Sequence, residues 1–479
     1  MTTSKGNVSS TSDIYDAMEE NWALPLALIG GEKTMKEANR LYLPQEPMED
    51  DDQYLNRLNR STLKNYFTWA VHNHTGRIFN KPIVLGEDTI DLIKDYNENL
   101  DLMGNNINGF YREVFKDMLI KGISYVYVDY PRTLEDLSLA EEKELNLRPY
   151  CIHIKAEQLI NAVPAVVNGR VVLARAHILE SIEIPDGRWS TSTVEQVRVL
   201  YPGHWEVWRP NNKAEWVIVD AGDTDLDYIP LVPLYGRKTG FYGGVSPLQD
   251  LANINRAHWQ SLSDQMNITH VARVPILFGT GFDSEDELTI GAKVSILGPE
   301  NSTLTYVEHT GKAIQAGMDE LKDLEERMLL ESLELVGSSG STATGRALDV
   351  SDANCSLQDL SIRLQDMITR VNLIMCDWEG IERAGNALVN TDFGLHMRDG
   401  SEANILLKMR QNRSISNETF HREMKRRGIL STDFNSEADI KLLDEENAKM
   451  PQPYVDENGK QIMGNKNAED LDTGKPRIE

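Results

Sequence analysis

Cysteine is scarce: Cys151, Cys355 and Cys376 are the three in 479 residues. Thiols so few and so scattered build neither a disulfide framework nor a zinc site, and they read as buried or half-buried thiols in a reducing cytosol. Long hydrophobic runs are missing as well. No apolar stretch approaches the roughly 20 residues a bilayer span needs, so no membrane partner is expected. Met1 to Ser12 is rich in Ser and Thr and has no apolar core, which predicts a disordered start and no signal peptide. Positive charge is in short supply: 49 Lys and Arg face 75 Asp and Glu, for a formal net charge of -26. Tight DNA binding needs clustered cations to replace counterions, so the balance excludes a sequence-reading DNA binder. It leaves two alternatives, acidity that only keeps the protein soluble and a surface that DNA slides past without being gripped.

Catalytic signatures are missing too. No H-E-x-x-H, G-x-S-x-G or C-x-x-C occurs. His72-Asn73-His74 is three adjacent residues, whereas a nuclease of the corresponding name spreads its residues through a ββα unit. His258 and His270 stand too far apart on one helix to share a metal ion. Carboxylates are so numerous that picking any pair as acid and base carries no information. No repeat of 20–50 residues appears.

What is present is a hydrophobic fraction of 40% and a mean hydropathy of -0.42, enough for a real core. The length suggests about three structural units or one elongated subunit. Residues 13–80 read as helical in pieces, with a stripe through Leu63, Tyr66, Phe67, Ala70 and Val71. Further helices are expected over 88–102 and 107–120, the latter stopped by Gly122 and followed by a strand at 124–130. From about Pro149 to Pro233 the pattern becomes β. Strands at 171–179, 195–201, 204–209 and 215–219 are punctuated by Asn168-Gly169, Asp186-Gly187 and Asn211-Asn212, which predicts an antiparallel meander.

The most regular segment is 246–381. Ser246-Pro247-Leu248-Gln249 combines a capping box with proline at the first helical position. The helix it opens has neither Gly nor Pro before Pro275, and Leu248, Leu251, Ala252, Trp259, Leu262 and Met266 share one side. At 1.5 Å per residue this helix is on the order of 40 Å long. A short β insertion follows, holding the acidic loop Asp283-Ser284-Glu285-Asp286-Glu287. A return helix is predicted from about Ala313 to Leu335, apolar along Ile314, Met318, Leu321, Leu324, Met328 and Leu335. Its other face is acidic through Asp319, Glu320, Asp323, Glu325, Glu326, Glu331 and Glu334. Small residues then dominate Gly337-Ser338-Ser339-Gly340-Ser341-Thr342-Ala343-Thr344-Gly345-Arg346, which reads as a loop. A third helix is expected from about Ala353, with Leu357, Leu360, Leu364, Met367, Val371, Ile374, Trp378 and Ile381 stepping by three and four. Beyond Ala384 short helices are expected at 401–411, 420–427 and 436–446, and Pro451 to Glu479 reads as a disordered tail.

The 340–347 stretch has the glycine spacing of a phosphate-binding loop. It departs from one where the chemistry lies. Arg346 stands in place of the lysine, Ala347 in place of the magnesium-binding hydroxyl, and a helix rather than a strand precedes it.

The residues from Ser246 to Trp259, their approach Ile229-Pro230-Leu231-Val232-Pro233, and the continuation Ser261 to Ile268 and His270 to Pro275 resemble the portal proteins of tailed bacteriophages. The resemblance is carried by 230–385; elsewhere it rests on element order. It implies an α+β, mainly helical subunit in a ring oligomer of twelve copies. A disordered start at 1–12 precedes a wing at 13–245. The stem would be formed by helices 246–273 and 311–335, with a small β clip at 274–310. It further implies a tunnel loop at 336–352, a long wing helix at 353–384, a wing and short helical crown at 385–450, and a tail at 451–479.

The implied function is non-enzymatic and uses no cofactor and no metal. The ring would sit at one capsid vertex of the virion after assembly in the host cytoplasm. It would conduct double-stranded DNA without sequence specificity during packaging and ejection. Implied partners are the terminase large subunit, a head–tail adaptor, and capsid and scaffold proteins. The acidic stem face (Asp319, Glu320, Asp323, Glu326, Glu331, Glu334) would line the channel. Gly337, Ser338, Ser339, Gly340, Ser341, Thr342, Thr344, Gly345 and Arg346 would form the tunnel loop. Asp283, Glu285, Asp286 and Glu287 would meet the docking partner. Two other readings stand beside this one: an NTP-using enzyme built on 340–347, and an intracellular helical scaffold or adaptor.

Overall fold

The computed structural model describes residues 7–131, 145, 147–211, 213–273, 276–281, 302–307, 312–333, 343–391, 393, 400–426, 429–430, 434–449, 453–455 and 461–463. The chain divides into two compact units, Met1–Gly394 and Leu395–Glu479.

The first unit opens with helices whose starts are set by side-chain caps. In α1 (Asp13–Ile29) the Ser12 hydroxyl accepts from the Tyr15 amide, and Tyr15, Met18, Trp22 and Leu28 are buried along one side. A short α2 (Gly31–Glu37) follows. Asp50 caps α3 (Asp51–Arg60) and Asn65 caps α4 (Tyr66–Ile78), each satisfying an amide that the helix leaves unpaired. The stripe read through Leu63, Tyr66, Phe67, Ala70 and Val71 is helical only from Tyr66, because the chain is extended at Ser61 and Leu63 precedes α4. The strand β1 (Val84–Leu85), the helix α5 (Asp91–Glu98) and α6 (Ile107–Lys121) complete this part. The helix expected over 88–102 is shorter because the chain around it is fixed by other bonds: Leu100 and Asn105 close a loop, N–H to C=O, at 2.7 Å.

The strand β2 (Ile123–Asp129) divides the interior. It pairs antiparallel with β3 (Tyr150–Ile154) on one side and with a later strand, residues 231–235, on the other. Its side chains alternate between two cores, as the strand period of two requires. Val126 and Val128 pack into a cluster with α4, α6 and the long helices described below. Ile123, Tyr125 and Tyr127 pack into a second cluster with Trp22 and the meander.

The meander is a five-stranded sheet of β4 (Leu159–Val167), β5 (Arg170–Asp186), β6 (Ser190–Tyr201), β7 (His204–Pro210) and β8 (Trp216–Asp223), paired in sequence order. Asn168 and Gly169 both take positive φ, 51° and 75°, as a two-residue turn matched to the strand twist requires. The chain returns through β9 (Leu231–Tyr235), β10 (Arg237–Gly240) and β11 (Gly243–Val245).

Here three backbone segments cross with no room for side chains. Gly122 ends α6 in the left-handed region (φ 89°), and a Cβ there would lie 2.2 Å from the Val245 carbonyl carbon. A Cβ on Gly244 would lie 2.5 Å from the Gly122 oxygen, and the Gly236 amide donates to that oxygen at 2.8 Å. The Ser246 hydroxyl joins the crossing by donating to the Leu119 carbonyl at 2.5 Å and accepting from the Leu248 amide at 3.0 Å. Ser246 is thus a cap. Its hydroxyl binds the Leu119 and Leu248 backbones, and α7 (Gln249–Ala272) starts after it.

Beyond α7 come β12 (Ile276–Thr280) and β13 (Thr303–Val307), antiparallel in the register Ile276↔Val307 to Thr280↔Thr303. The chain then enters α8 (Lys312–Leu333) and α9 (Ala343–Trp378), and β14 (Ala387–Leu388) closes on β1. The third long helix begins at Ala343 rather than near Ala353. Ala343, Ala347, Leu348 and Ala353 are good helix formers, and one early glycine, Gly345, costs only about 1 kcal/mol.

The second unit holds α10 (Gly400–Gln411), α11 (Asn417–Arg426) and α12 (Ser436–Lys449). Ser416 caps α11 through the Thr419 amide at 3.1 Å. The expected disordered tail contains a hairpin, β15 (Pro453–Val455) paired with β16 (Gln461–Met463). Asn458-Gly459 between these strands is a strong short-range hairpin signal.

Candidate functional site

The regular α7–β12–β13–α8 segment is one antiparallel unit with a two-stranded sheet at its far end. Contacts along the pair fix its direction. The Gln265 side-chain amide donates to the Ile314 carbonyl at 2.8 Å, and His258 Nε2 lies 3.4 Å from Glu325. Gly317 permits the close approach: a Cβ there would sit 2.2 Å from Gln265 Oε1. A glycine inside a helix costs about 1 kcal/mol against alanine, and the Gln265 bridge offsets it.

Burial changes along both helices. Leu248, just ahead of α7, and Leu251, Ala252 and Trp259 on it are buried as their spacing predicts, whereas Leu262 and Met266 are only half-buried. On α8, Leu321 and Met328 are buried, but Met318, nearer the hairpin, is 46% exposed. The pair therefore leaves the core as it approaches the β hairpin.

The pair is fixed to the preceding helices by polar contacts along α7 and α8. Asn255, fully buried on α7, accepts from the Phe67 amide at 3.1 Å and donates to the Lys64 carbonyl at 3.0 Å. The Ser61 hydroxyl donates to Ser263 Oγ at 2.7 Å, and Arg60 reaches Asn267 at 3.0 Å. Arg57 is 3% exposed and forks onto Glu49 with two bonds of 2.8 Å. Its remaining donors reach the Pro44 carbonyl at 2.7 Å and Asp264 of α7 at 3.3 Å. The guanidinium holds the Glu49 carboxyl below the usual carboxylate range. Asp264 is pushed the other way by burial, against the pull of Arg57 and helped by Glu46, Glu49 and Glu320. Glu325 of α8 bonds Lys64 at 2.7 Å, and Lys64 holds its carboxyl low, with His258 adding to the effect. Burial lowers the pKa of His258 in turn. The sequence reading missed this collar. Its signal was the run Asn255, His258 and Ser263 on the buried side of α7, polar residues that need fixed partners there.

The acidic residues divide into two groups. Asp319, Glu320, Asp323 and Glu326 are exposed on α8, and Glu331 is half-buried. Glu325 belongs to the collar. Asp319 lies 3.9 Å from Lys322, and Asp323 3.3 Å from Arg327, exposed pairs that neutralise little. Six carboxylates (319, 320, 323, 325, 326 and 331) against Lys312, Lys322 and Arg327 leave α8 with a net charge of -3. Glu334 lies outside the described residues. So do Asp283, Glu285, Asp286 and Glu287, and Gly337, Ser338, Ser339, Gly340, Ser341 and Thr342. Thr344, Gly345 and Arg346 lie in the first turn of α9, not in a loop.

One arrangement resembles a catalytic site in composition and differs from it in geometry. The Ser124 hydroxyl is 2.8 Å from His153 Nε2, and Asp117 is 3.8 Å from that same nitrogen. A relay needs the carboxylate on the other ring nitrogen, and Ser124 is fully buried. His74 is fully buried in α4, and burial pushes its pKa down to about 3. Among the described residues no group of three His, Cys, Asp or Glu could hold a metal ion, and no helix is long and apolar enough to cross a membrane.

Residues 247–379 match a family described as a domain of unknown function, DUF4055. The match begins two residues before α7 and ends one residue after α9. No curated protein matches the chain. Among solved structures, the chain is similar to one in the virion of a native gene transfer agent particle. The identity is 10%, with 76% of this chain and 89% of that one covered, at a TM-score of 0.41. It is also similar to a chain in the neck of the native particle computed with C12 symmetry, at 9% identity, 74% and 88% coverage and a TM-score of 0.42. A third similarity is to a chain in the neck of the empty particle computed with C6 symmetry, at 10% identity, 76% and 89% coverage and a TM-score of 0.40.

Proposed function

We propose that this chain is the portal subunit of a tailed bacteriophage or related particle, a non-enzymatic protein whose copies form a ring around a DNA channel. The observation that carries the reading is the α7–α8 pair. It is anchored by buried polar contacts, tipped by β12 and β13, and carries Asp319, Glu320, Asp323 and Glu326 on the exposed face of α8. The resemblance of 230–385 to portal sequences supports the same assignment.

In the ring, the pairs stand side by side as the stem with these carboxylates toward the lumen. Like charge keeps phosphate from settling on the wall over a screening length of about 8 Å, so DNA passes without being held. The 274–310 segment is the docking surface for the terminase large subunit and the head–tail adaptor, with Asp283, Glu285, Asp286 and Glu287 as contacts. The small-residue segment at 336–342 and the first turn of α9 approach the DNA, and Arg346 makes a transient phosphate contact. Capsid and scaffold proteins hold the wing at the vertex.

Electron microscopy of the purified protein tests the reading. Closed rings with an open axial hole are expected. A monomer that persists at assembly concentrations would sink it.

A further inference from the structure

The segment ahead of α1 roofs one face of the meander. Two bonds hold it there. His177 Nδ1 lies 2.8 Å from the Val8 carbonyl, and the Ser12 amide donates to the Ile160 carbonyl at 3.0 Å. Between roof and sheet is a cavity of about 570 Å³, within the roughly 300–1,000 Å³ of small-molecule sites.

Strand register sets the floor of this cavity. Residues directly opposite in an antiparallel sheet share a face, as do residues two apart on one strand. His177 on β5 stands opposite Asn161 on β4 and Val199 on β6. Arg175 is two residues before His177, and Tyr201 two after Val199. Trp208 on β7 stands opposite Val197, two residues before Val199. Four strands therefore bring Asn161, Arg175, His177, Tyr201 and Trp208 to one lining.

Two side chains on this floor lack partners that burial requires. His177 is 7% exposed. A carbonyl only accepts, so the Val8 bond fixes a proton on Nδ1. Burial lowers the pKa of the ring, and Arg175 adds to the effect against the Val8 bond. The ring is neutral, and Nε2 offers a lone pair that is buried and meets no donor. Arg175 is half-buried. Its Nε is buried without an acceptor, and no hydrogen bond or ion pair joins its side chain to another residue among those described. Buried polar groups are almost always paired. Asp13, the one acid on the described lining, has an interaction of its own. Residues 1–6 contain Lys5 and no Asp or Glu, so that end of the chain supplies no side-chain carboxylate.

We infer that the cavity binds a small planar carboxylate that also carries an O–H or N–H donor. The carboxylate pairs with the Arg175 guanidinium, whose fork matches its two oxygens, and Asn161 adds an amide donor. The ligand's own donor bonds His177 Nε2. Its flat body lies against Tyr201 and Trp208, whose rings favour stacked or edge contacts. No second Lys or Arg stands on the described lining, which suits one negative charge rather than a phosphate. The site lies within one copy and needs no ring.

Isothermal titration calorimetry of the full-length protein with 4-hydroxybenzoate tests the site. Saturable binding of one molecule per chain is expected. 4-Hydroxybenzamide lacks the charge and benzoate lacks the donor, and each is expected to bind on the order of tenfold more weakly. Arg175→Gln should weaken 4-hydroxybenzoate by a similar factor, leave 4-hydroxybenzamide as it was, and keep the circular dichroism of wild type. No saturable binding of 4-hydroxybenzoate to wild-type protein overturns the site and leaves its polar atoms to ordered water. Equal binding of 4-hydroxybenzamide, or binding that Arg175→Gln leaves unchanged, overturns the charge pairing. If Arg175→Gln does not fold, the three probes on wild type decide alone. Each of these results leaves the portal reading standing.

Discussion

Arg57 offers the sharpest test of how the helix pair is held. Its guanidinium is 3% exposed, and its partner Glu49 is 8% exposed. Replacing Arg57 by methionine keeps most of the volume but strands the Glu49 carboxylate and takes the donor from the Pro44 carbonyl. Breaking a buried pair by removing one partner costs about 3–5 kcal/mol, mostly the uncompensated charge left behind. Converting both partners, Arg57→Met with Glu49→Leu, removes that charge and is expected to recover most of the loss. Urea unfolding followed by tryptophan fluorescence at one fixed protein concentration measures both.

The pH dependence adds a second constraint. Glu49 has a depressed folded pKa, so the pair's contribution is complete above the unfolded value of about 4.3 and is lost as pH falls through the lower folded value. The gap between wild type and Arg57→Met is therefore widest at neutral pH and closes in acid. A single variant that loses under about 1 kcal/mol, or a double variant that loses as much as the single, would refute the account of a buried charge held by its partner.

Four further outcomes are expected. Gly122→Ala should destabilise by more than about 2 kcal/mol, because left-handed backbone disfavours a side chain and the new Cβ meets the Val245 backbone; a change within 0.5 kcal/mol on the order of a neutral surface substitution would contradict the crossing. Asn255→Leu should cost about 2–4 kcal/mol by leaving the Phe67 amide and the Lys64 carbonyl without partners, read by thermal unfolding. His74, with its pKa lowered to about 3, contributes stability above the unfolded value near 6.5 that is lost as pH falls toward 3, roughly 4–5 kcal/mol in all; His74→Leu should flatten that part of the acid profile, and an unchanged profile would count against a neutral buried ring. Glu320→Lys with Glu326→Lys should leave folding and ring size intact while raising DNA retention and its salt dependence in filter binding, and identical DNA binding before and after would argue against a lumenal position.

Periodic features read well from sequence. The stripe Leu357, Leu360, Leu364, Met367, Val371 and Ile374 is buried along α9, because one helix face meets one core, while Trp378 at its end is half-buried and Ile381 lies beyond it. The α7–β–α8 order, the meander with its Asn168-Gly169 turn and the stop at Gly122 were equally legible, since each rests on local backbone chemistry. Three things were not. Leu262, Met266 and Met318 have core spacing, yet they lie where the helices have left the core, and spacing carries no information about where a neighbour ends. α9 starts ten residues before Ala353, because small residues suit loops although several of them are also good in helices. The collar of Arg57, Lys64, Asn255, His258 and Glu325 joins residues 67 or more positions apart, and pairings at that separation leave no trace in a window of sequence.

The backbone crossing at Gly122, Gly236 and Gly244 has a consequence for tracing descent. Side chains on the surface and even in the cores can be exchanged in compensating sets, so they drift. A carbonyl lying against a neighbouring α-carbon admits no compensation, since every alternative residue adds an atom at the same place. Distant kin of this chain should therefore share a sparse bar code: a glycine that closes a helix before a buried strand, and a pair of glycines eight residues apart in a tight return just ahead of a Ser-Pro helix start. Searching for that spacing should find relatives that no longer match residue for residue.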